Sequence, residues 1–181
     1  MGKLLIIKGA DFSINAVDHT TGTPGVVTYA YDIPDSQFNS ATGTSTPVAQ
    51  GFGLQDQSAI RGHYIHGIRL NVSTAGSMTI LKYNGLISVG TAVQASGFTE
   101  LETLTTTSTG LQELEFSNAA GYYLDTNETL VFGRKNETLC FKFVDGTTPS
   151  VQQLFLGQCS GGENAVSAGN SKHLTIDVLI S

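Results

Sequence analysis

Four histidines are the side chains of this 181-residue sequence best suited to proton transfer or metal binding: His19, His63, His66 and His173. His63 and His66 lie closest together. On a strand a spacing of three places the two rings on opposite faces, so they converge on one metal ion only if the backbone bulges there. We therefore predict no metal site and expect ordinary, half-exposed histidines.

Paired carboxyl groups could act as the acid and base of a glycosidase, which needs them about 5–10 Å apart across a cleft. The candidate pairs are Asp32 with Asp35 and Glu100 with Glu102. Acidic side chains on loops or on the solvent face of a strand are far commoner than catalytic ones. We predict no catalytic residue and keep a glycan-degrading enzyme as a third interpretation, which a cleft with two facing carboxylates would revive.

The sequence lacks the motifs of serine-nucleophile, zinc-dependent and nucleotide-dependent catalysis: G-x-S-x-G, H-E-x-x-H, G-x-G-x-x-G and the P-loop. Asp56, Asp125 and Asp145 lie near predicted loops and make calcium a slightly better candidate, but a D-x-D-x-D-G loop is missing too. Cys140 and Cys159 could form a disulfide, although two reduced thiols are the favoured interpretation. We predict no cofactor.

Aromatic rings are the side chains that could bind carbohydrate, because sugars pack on aromatic faces while polar groups hold their hydroxyls. The predicted ligand-binding residues are Tyr29, Tyr31, Phe38, Phe52 and Tyr64. Tyr122 and Tyr123 are further candidates, but consecutive residues of a strand point to opposite faces, which favours one ring in the core and one on the surface. The absence of Trp counts against glycan binding.

Composition excludes several classes of protein. The net charge of −6, from 9 basic and 15 acidic residues, argues against a nucleic-acid partner. No apolar run approaches the roughly 20 residues of a membrane-spanning helix. Charged residues make up only 13% of the chain and Gly, Ser and Thr are abundant, which favours strands joined by turns.

Strand signals are frequent enough to place these side chains on sheets. Ile68, Leu70 and Val72 alternate with polar residues and share one predicted face. Asn84-Gly85 predicts a type I′ hairpin between 77–83 and 86–89. Further strands are predicted at 3–8, 26–31, 101–106, 111–116, 129–133 and 173–180, and Asp145-Gly146 predicts a second hairpin between 138–144 and 150–156.

The spacing of these strands is typical of an all-β, antiparallel β-sandwich, jelly-roll or galactose-binding-like, with roughly eight to ten strands. We predict an N-terminal strand or attachment arm at 1–20 and a single sandwich domain at 21–181. A long loop at 32–59 would present Tyr31, Phe38 and Phe52 to a partner, and 157–171 forms a second loop. The C-terminus is predicted to be a paired strand.

Three segments together resemble virion-associated and adhesin-like proteins from phages and prophages of gut Bacteroidetes: KLLIIKGADFSINAV, IHGIRLNVSTAGSMTILKYNG and YYLDTNETLVFGRKNETLCFKFV. The shared features are the small-residue turn at Ala75-Gly76 and the strand entry of the form acid-x-L-x-F-G at 128–133. The resemblance covers roughly a third of the chain, and its motifs are structural rather than catalytic.

The resemblance implies a non-enzymatic structural and attachment protein of a phage virion, of the head-fibre, capsid-decoration or tail-fibre type. It would act as a homo-oligomer, with a trimer favoured, contact other virion proteins, and touch host surface polysaccharide. The N-terminus lacks the pattern of a signal peptide, in keeping with a virion part assembled in the bacterial cytoplasm.

Leu4, Ile6 and Phe12 are the predicted contacts of the assembly arm. The alternative, that this segment is the first strand of the protein's own sheet, stays open. The runner-up function is a free-standing carbohydrate-binding module of a bacterial surface system.

Overall fold

The computed structural model describes residues 26–41, 43–44, 51–54, 56–88, 92–133, 138–145, 152–156, 163–165 and 167–181. Several sequence predictions lie outside these residues: the arm at 1–20 with Leu4, Ile6 and Phe12, the strand at 3–8, His19 and Cys159. No helix among the described residues has the length and apolar character needed to cross a membrane.

The described residues form fifteen strands, one short α-helix and one 3₁₀ turn. The strands are β1 (Thr28–Tyr29), β2 (Gly43–Thr44), β3 (Gly51–Leu54), β4 (Tyr64–Thr74), β5 (Gly76–Tyr83), β6 (Ala92–Gln94), β7 (Phe98–Thr106), β8 (Gly110–Glu115), β9 (Tyr122–Tyr123), β10 (Thr129–Phe132), β11 (Cys140–Asp145), β12 (Gln152–Leu156), β13 (Glu163–Ala165), β14 (Ser167–Leu174) and β15 (Ile176–Ile180). The helix α1 is Asp35–Asn39 and the turn is Ala95–Gly97. The count exceeds the predicted eight to ten because several strands have only two or three residues.

Thirteen strands join into one curled antiparallel sheet that forms two layers. The first layer has the order β1-β15-β4, with β8 and β9 also paired to β4. The second has the order β7-β5-β10-β3-β12-β14-β11, with β2 also paired to β11. β11 links the layers, since Phe141 pairs with β4 while Phe143 pairs with β14. The predicted all-β sandwich is therefore confirmed, and the jelly-roll or galactose-binding-like assignment stays a prediction.

The core lies between the two layers and follows the period-two alternation of the strands. Ile68, Leu70 and Val72 share one face of β4 and are buried, as predicted. The alternate residues of β15 join them: Ile176, Val178 and Ile180. The second layer closes the core with Ile80, Leu104, Leu130, Phe132 and Phe141. β15 is thus a paired, fully buried C-terminal strand, which confirms that prediction.

The hairpin predicted at Asn84-Gly85 is wrong. β5 has β7 on one edge and β10 on the other, so the chain after Gly85 finds no free edge to pair with. The Thr129 hydroxyl holds this segment instead: it donates to the Gly85 carbonyl and accepts from the Ile87 N–H. Ile87 then covers a small second cluster on the outer face of β5.

The hairpin predicted at Asp145-Gly146 is also wrong, for the same reason. β11 pairs with β14, and β12 lies on the other edge of β14, so β11 and β12 are not neighbours. The predicted loop at 157–171 contains β13, which pairs with β6, and the beginning of β14.

The described residues of the predicted loop at 32–59 include regular elements, and they do not present Phe38 and Phe52 to a partner. They contain α1, β2 and β3. Phe38 on α1 has no exposed surface, and Phe52 on β3 is 8% exposed and meets Phe141 edge to face. Both rings are buried because the segments that carry them pack onto the sheets.

Residues Ala30–Ala41, which include α1, lie on the outer face of the first layer, and we call them the covering segment. A buried carboxylate fixes this segment to the layer. Asp177 on β15 has no exposed surface, and its two oxygens accept from the backbone N–H groups of Tyr31 (2.9 Å) and Ile33 (2.8 Å). Between these two donors Asp32 adopts a left-handed backbone with φ of 48°. Hydrogen bonds to a buried charge are among the stronger contacts of a fold.

We expect Asp177→Asn to lower the free energy of unfolding by about 2–3 kcal/mol, because the amide keeps the shape but turns a donor toward one of the two N–H groups. The matched control is Asp35→Asn, at an exposed carboxylate that pairs with Arg69 on the same face. It should cost less than about 1 kcal/mol. Urea denaturation of both variants measures the difference, and equal losses would show that Asp177 does not hold the covering segment.

Candidate functional site

A cavity of about 800 Å³ lies on the outer face of the first layer. Its lining combines aromatic, acidic, amide and apolar side chains from β1, β4, β8, β15 and the turn after β8. The lining residues are Val27, Thr28, Tyr29, Asp32, His66, Glu113, Glu115, Phe116, Asn118, Ala119 and Leu179. We call this cavity the outer pocket.

The floor of the outer pocket is a row of residues paired across four strands. Tyr29 pairs with Leu179, Leu179 with Gly67, and Gly67 with Glu115. Paired residues of antiparallel strands point to the same face, so Tyr29 and Glu115 rise at the two ends of the row. Gly67 lies between them, and its lack of a side chain lets the backbones of β4 and β8 come close together. A Cβ atom on Gly67 would lie 2.4 Å from the Leu114 carbonyl oxygen.

A β-bulge brings His66 into the outer pocket. The register between β15 and β4 shifts here, since Leu179 pairs with Gly67 while Ile180 pairs with Ile65. The extra residue, His66, turns to the outer side beside Gly67, whereas Ile65 and Ile68 both reach the core. According to the sequence, the rings of His63 and His66 can converge on one metal ion only if the backbone bulges between them. The bulge exists, but His63 is exposed and is not among the lining residues.

The His66 ring is almost fully buried and is held from two sides. Its Nε2 lies 2.8 Å from the Ser181 hydroxyl, and Gly121 packs so closely that a Cβ there would lie 2.9 Å from the ring Cε1. Burial lowers the pKa of His66, an effect that the nearby Glu115 carboxylate partly opposes. The neutral imidazole is therefore favoured in the folded protein.

Tyr29 forms the wall on the β1 side, and contacts at its hydroxyl and over one face of its ring hold it in place. Its hydroxyl donates to the Glu113 carboxylate, a hydrogen bond that raises the pKa of Tyr29. The Arg69 guanidinium lies 5.0 Å from the centroid of the Tyr29 ring and 4.9 Å from that of Phe38. Arg69 also pairs with Asp35, so one cation links β1, β4 and α1.

The five predicted ligand-binding aromatics divide into different environments. Only Tyr29 lines the described part of the outer pocket. Tyr31 is half-buried against the core, and its hydroxyl donates to the Asp56 carbonyl at 3.1 Å. Tyr64 is half-buried and packs on Tyr123, with the ring centroids 5.3 Å apart. The other two, Phe38 and Phe52, are the buried rings described above.

The acidic pairs singled out as candidate glycosidase residues do not face each other across a cleft. Asp32 lines the outer pocket, whereas Asp35 pairs with Arg69. Glu102 accepts from the Ser117 N–H and the Tyr122 hydroxyl, and Glu100 accepts from the Thr103 hydroxyl.

The three aspartates considered for calcium do not form a common site among the described side chains. Asp56 and Asp125 each accept a backbone N–H two residues ahead, from Ser58 and Asn127. The side chain of Asp145 lies outside the described ones. Within the described part of the chain, no three His, Cys, Asp or Glu side chains are placed to hold a metal ion.

Comparison of the chain with protein-family models, curated proteins and solved structures gives no match in any of the three.

Sequence reasoning missed most of the outer pocket. The sequence is sufficient to predict that Glu113 and Glu115 share a face, because the predicted strand at 111–116 places residues two apart on one face. It is not sufficient to predict the positions of His66, Asn118 and Asp32, because a bulge, a turn and a left-handed backbone determine them.

We expect the free energy of unfolding to decrease as the pH falls below about 6.5, the pKa of a histidine in an unfolded chain. Part of this decrease should come from His66. Because burial lowers the folded-state pKa of His66, the unfolded chain binds the proton first, and the loss levels off below the folded pKa. Urea unfolding at pH 7.5 and 5.5 measures it. The loss should be smaller in His66→Gln than in the wild type or in His63→Gln, whose histidine is exposed. Equal losses in all three would contradict the assignment.

Proposed function

We propose that this chain is a non-enzymatic attachment protein of a bacteriophage virion, of the head-fibre, capsid-decoration or tail-fibre type, which binds host surface carbohydrate in the outer pocket. The outer pocket is the observation that carries the carbohydrate part of the proposal. The resemblance of three sequence segments to virion-associated proteins supports the virion part.

The outer pocket has the chemistry that carbohydrate needs. Its volume of about 800 Å³ falls in the range of roughly 300–1,000 Å³ typical of small-ligand sites. The partly exposed Tyr29 ring offers a face for the apolar side of a sugar, while Phe116 and Leu179 contribute apolar surface. The carboxylates of Glu113 and Glu115 accept hydrogen bonds from hydroxyl groups.

Rigid elements support the pocket. The row from β1 to β8 consists of paired strands, and Asp177 anchors the backbone beside Asp32. A binding site whose walls are fixed before the ligand arrives loses less conformational entropy on binding.

Self-association as a homo-oligomer, with a trimer favoured, is supported by exposed apolar residues at the β1 end of the pocket, of which Val27 also lines it. Val26 is 63% exposed and Val27 is 42% exposed, immediately before β1. Exposed apolar side chains that adjoin a strand at the edge of a layer suit a contact with a second chain. The low charge of the whole chain suits closely packed protein contacts.

The second candidate is a free-standing carbohydrate-binding module of a bacterial surface system. The outer pocket supports it equally, because both functions need carbohydrate binding and differ only in the partners of the chain.

Carbohydrate binding is tested on a glycan array with the wild type and two tyrosine variants. We expect Tyr29→Ala to weaken binding of the selected glycans about tenfold, since it removes the aromatic wall. Tyr123→Ala is the matched control: Tyr123 has nearly the same exposure as Tyr29, but it is not among the lining residues. Binding unaffected by Tyr29→Ala, or no binding to any glycan, would contradict a carbohydrate site in the outer pocket.

Light scattering at several protein concentrations separates the two candidates. A virion attachment protein should form a closed symmetric oligomer, with a trimer expected, whose mass does not change on dilution. A strict monomer would contradict the virion proposal and favour the carbohydrate-binding module.

A further inference from the structure

The acidic side chains of the outer pocket point to a ligand of defined charge. We infer that the pocket binds a glycan carrying protonated primary amines, a polymer of de-N-acetylated hexosamine, in preference to neutral or acidic glycans. The inference rests on the proposed carbohydrate function and names the class of sugar.

Three carboxyl groups line the pocket, two from β8 and one from the covering segment. Glu113 and Glu115 lie on β8 and point to the same face, about 7 Å apart along the strand. Asp32 belongs to the covering segment, on the side of β1. Neither Lys nor Arg occurs among the described lining residues, so their formal charge at neutral pH is −3 with His66 neutral.

The nearest arginine is engaged next to the pocket. Arg69 lies between the rings of Tyr29 and Phe38, donates to the Ile33 carbonyl at 3.2 Å and pairs with Asp35. The side chain of Arg69 is only 13% exposed, and Arg69 is also paired with Glu113 across β4 and β8, so its cation offsets part of the charge of that carboxylate. Among the described residues no ion pair involves Glu115 or Asp32, and a cation of the ligand would complement these two carboxylates.

The apolar lining of the pocket strengthens the attraction between its carboxylates and a cationic ligand. Leu179 and Phe116 are buried beneath the carboxylates, and His66, more than nine-tenths buried, lines the same cavity. Electrostatic attraction is stronger next to low-dielectric surface than in open water. The apolar lining of the pocket therefore favours the binding of a cation next to these carboxylates.

The hydrogen-bonding groups of the pocket also favour a sugar with a protonated amine. An ionised carboxylate only accepts hydrogen bonds, and a protonated amine only donates them. The N-acetyl group of a neutral hexosamine replaces the charged amine with a neutral amide, and the carboxylate of a uronic acid is repelled. A free-amine sugar satisfies the acidic walls while its ring can still pack on Tyr29.

Three trisaccharides of equal length test the inference by titration calorimetry: glucosamine trimer, N-acetylglucosamine trimer and galacturonic acid trimer. The glucosamine trimer should bind at least tenfold more tightly than either of the others, and its affinity should fall with added salt. Glu115→Gln and Glu113→Gln should each weaken its binding about tenfold. Glu100→Gln is the control, because it removes the same charge from an exposed position on β7.

Every other result overturns the inference. If the N-acetylated trimer binds equally or better, and does so through Tyr29, the pocket is a neutral-sugar site and the proposed carbohydrate function stands. If the glucosamine trimer binds equally to all three glutamine variants, the cation lies elsewhere. If no trimer binds but a lysine-rich peptide does, the charge complement belongs to a protein, and the glycan array decides the proposed function separately.

Discussion

The carboxylate of Asp177 is the contact on which the outer face of the protein depends. It has no exposed surface and accepts from the backbone N–H groups of Tyr31 and Ile33, which lie almost 150 residues earlier in the chain. A buried charge is tolerated only when such donors satisfy it. The two contacts impose the left-handed backbone of Asp32 between them and direct the covering segment across β15 and β4. Without them, the part of the pocket wall formed by Asp32 would depend on neighbouring contacts, such as the hydrogen bond from Arg69 to the Ile33 carbonyl.

Two local departures from a regular sheet occur next to the pocket. Gly67 removes a side chain from the middle of a four-strand row, and the bulge at His66 turns a polar ring to a face that regular alternation would have denied it. Both occur on β4, which pairs with β15 on one edge and with β8 and β9 on the other. An irregularity there is retained because the surrounding pairs determine the backbone on each side of it.

The correct predictions from the sequence rest on the alternation of apolar and polar residues along a strand. The features that it missed depend on pairing between strands far apart in the chain. The faces of β4 and β15 follow from residues two apart, so the core positions Ile68 and Val178 agree with the sequence pattern. Asn84-Gly85 has the composition of a hairpin turn, yet the edges of β5 are taken by β7 and β10, and nothing near Asn84 in the sequence shows this. Phe38 looks like a loop residue until Arg69 and Asn71 of β4 are placed beneath it.

The charged residues that shape the outer pocket also account for the ligand that we propose for it. The covering segment uses the Arg69 cation to bring Tyr29, Phe38 and Asp35 together, and in doing so leaves Glu113, Glu115 and Asp32 gathered around a cavity with an apolar floor. Carboxylates that line one cavity repel one another, a cost that a fold retains chiefly where binding recovers it. A cationic ligand would remove that repulsion and stabilise the folded protein in proportion to its occupancy. The same three charges would oppose an acidic glycan, so the affinity and the selectivity that we propose would have one physical origin.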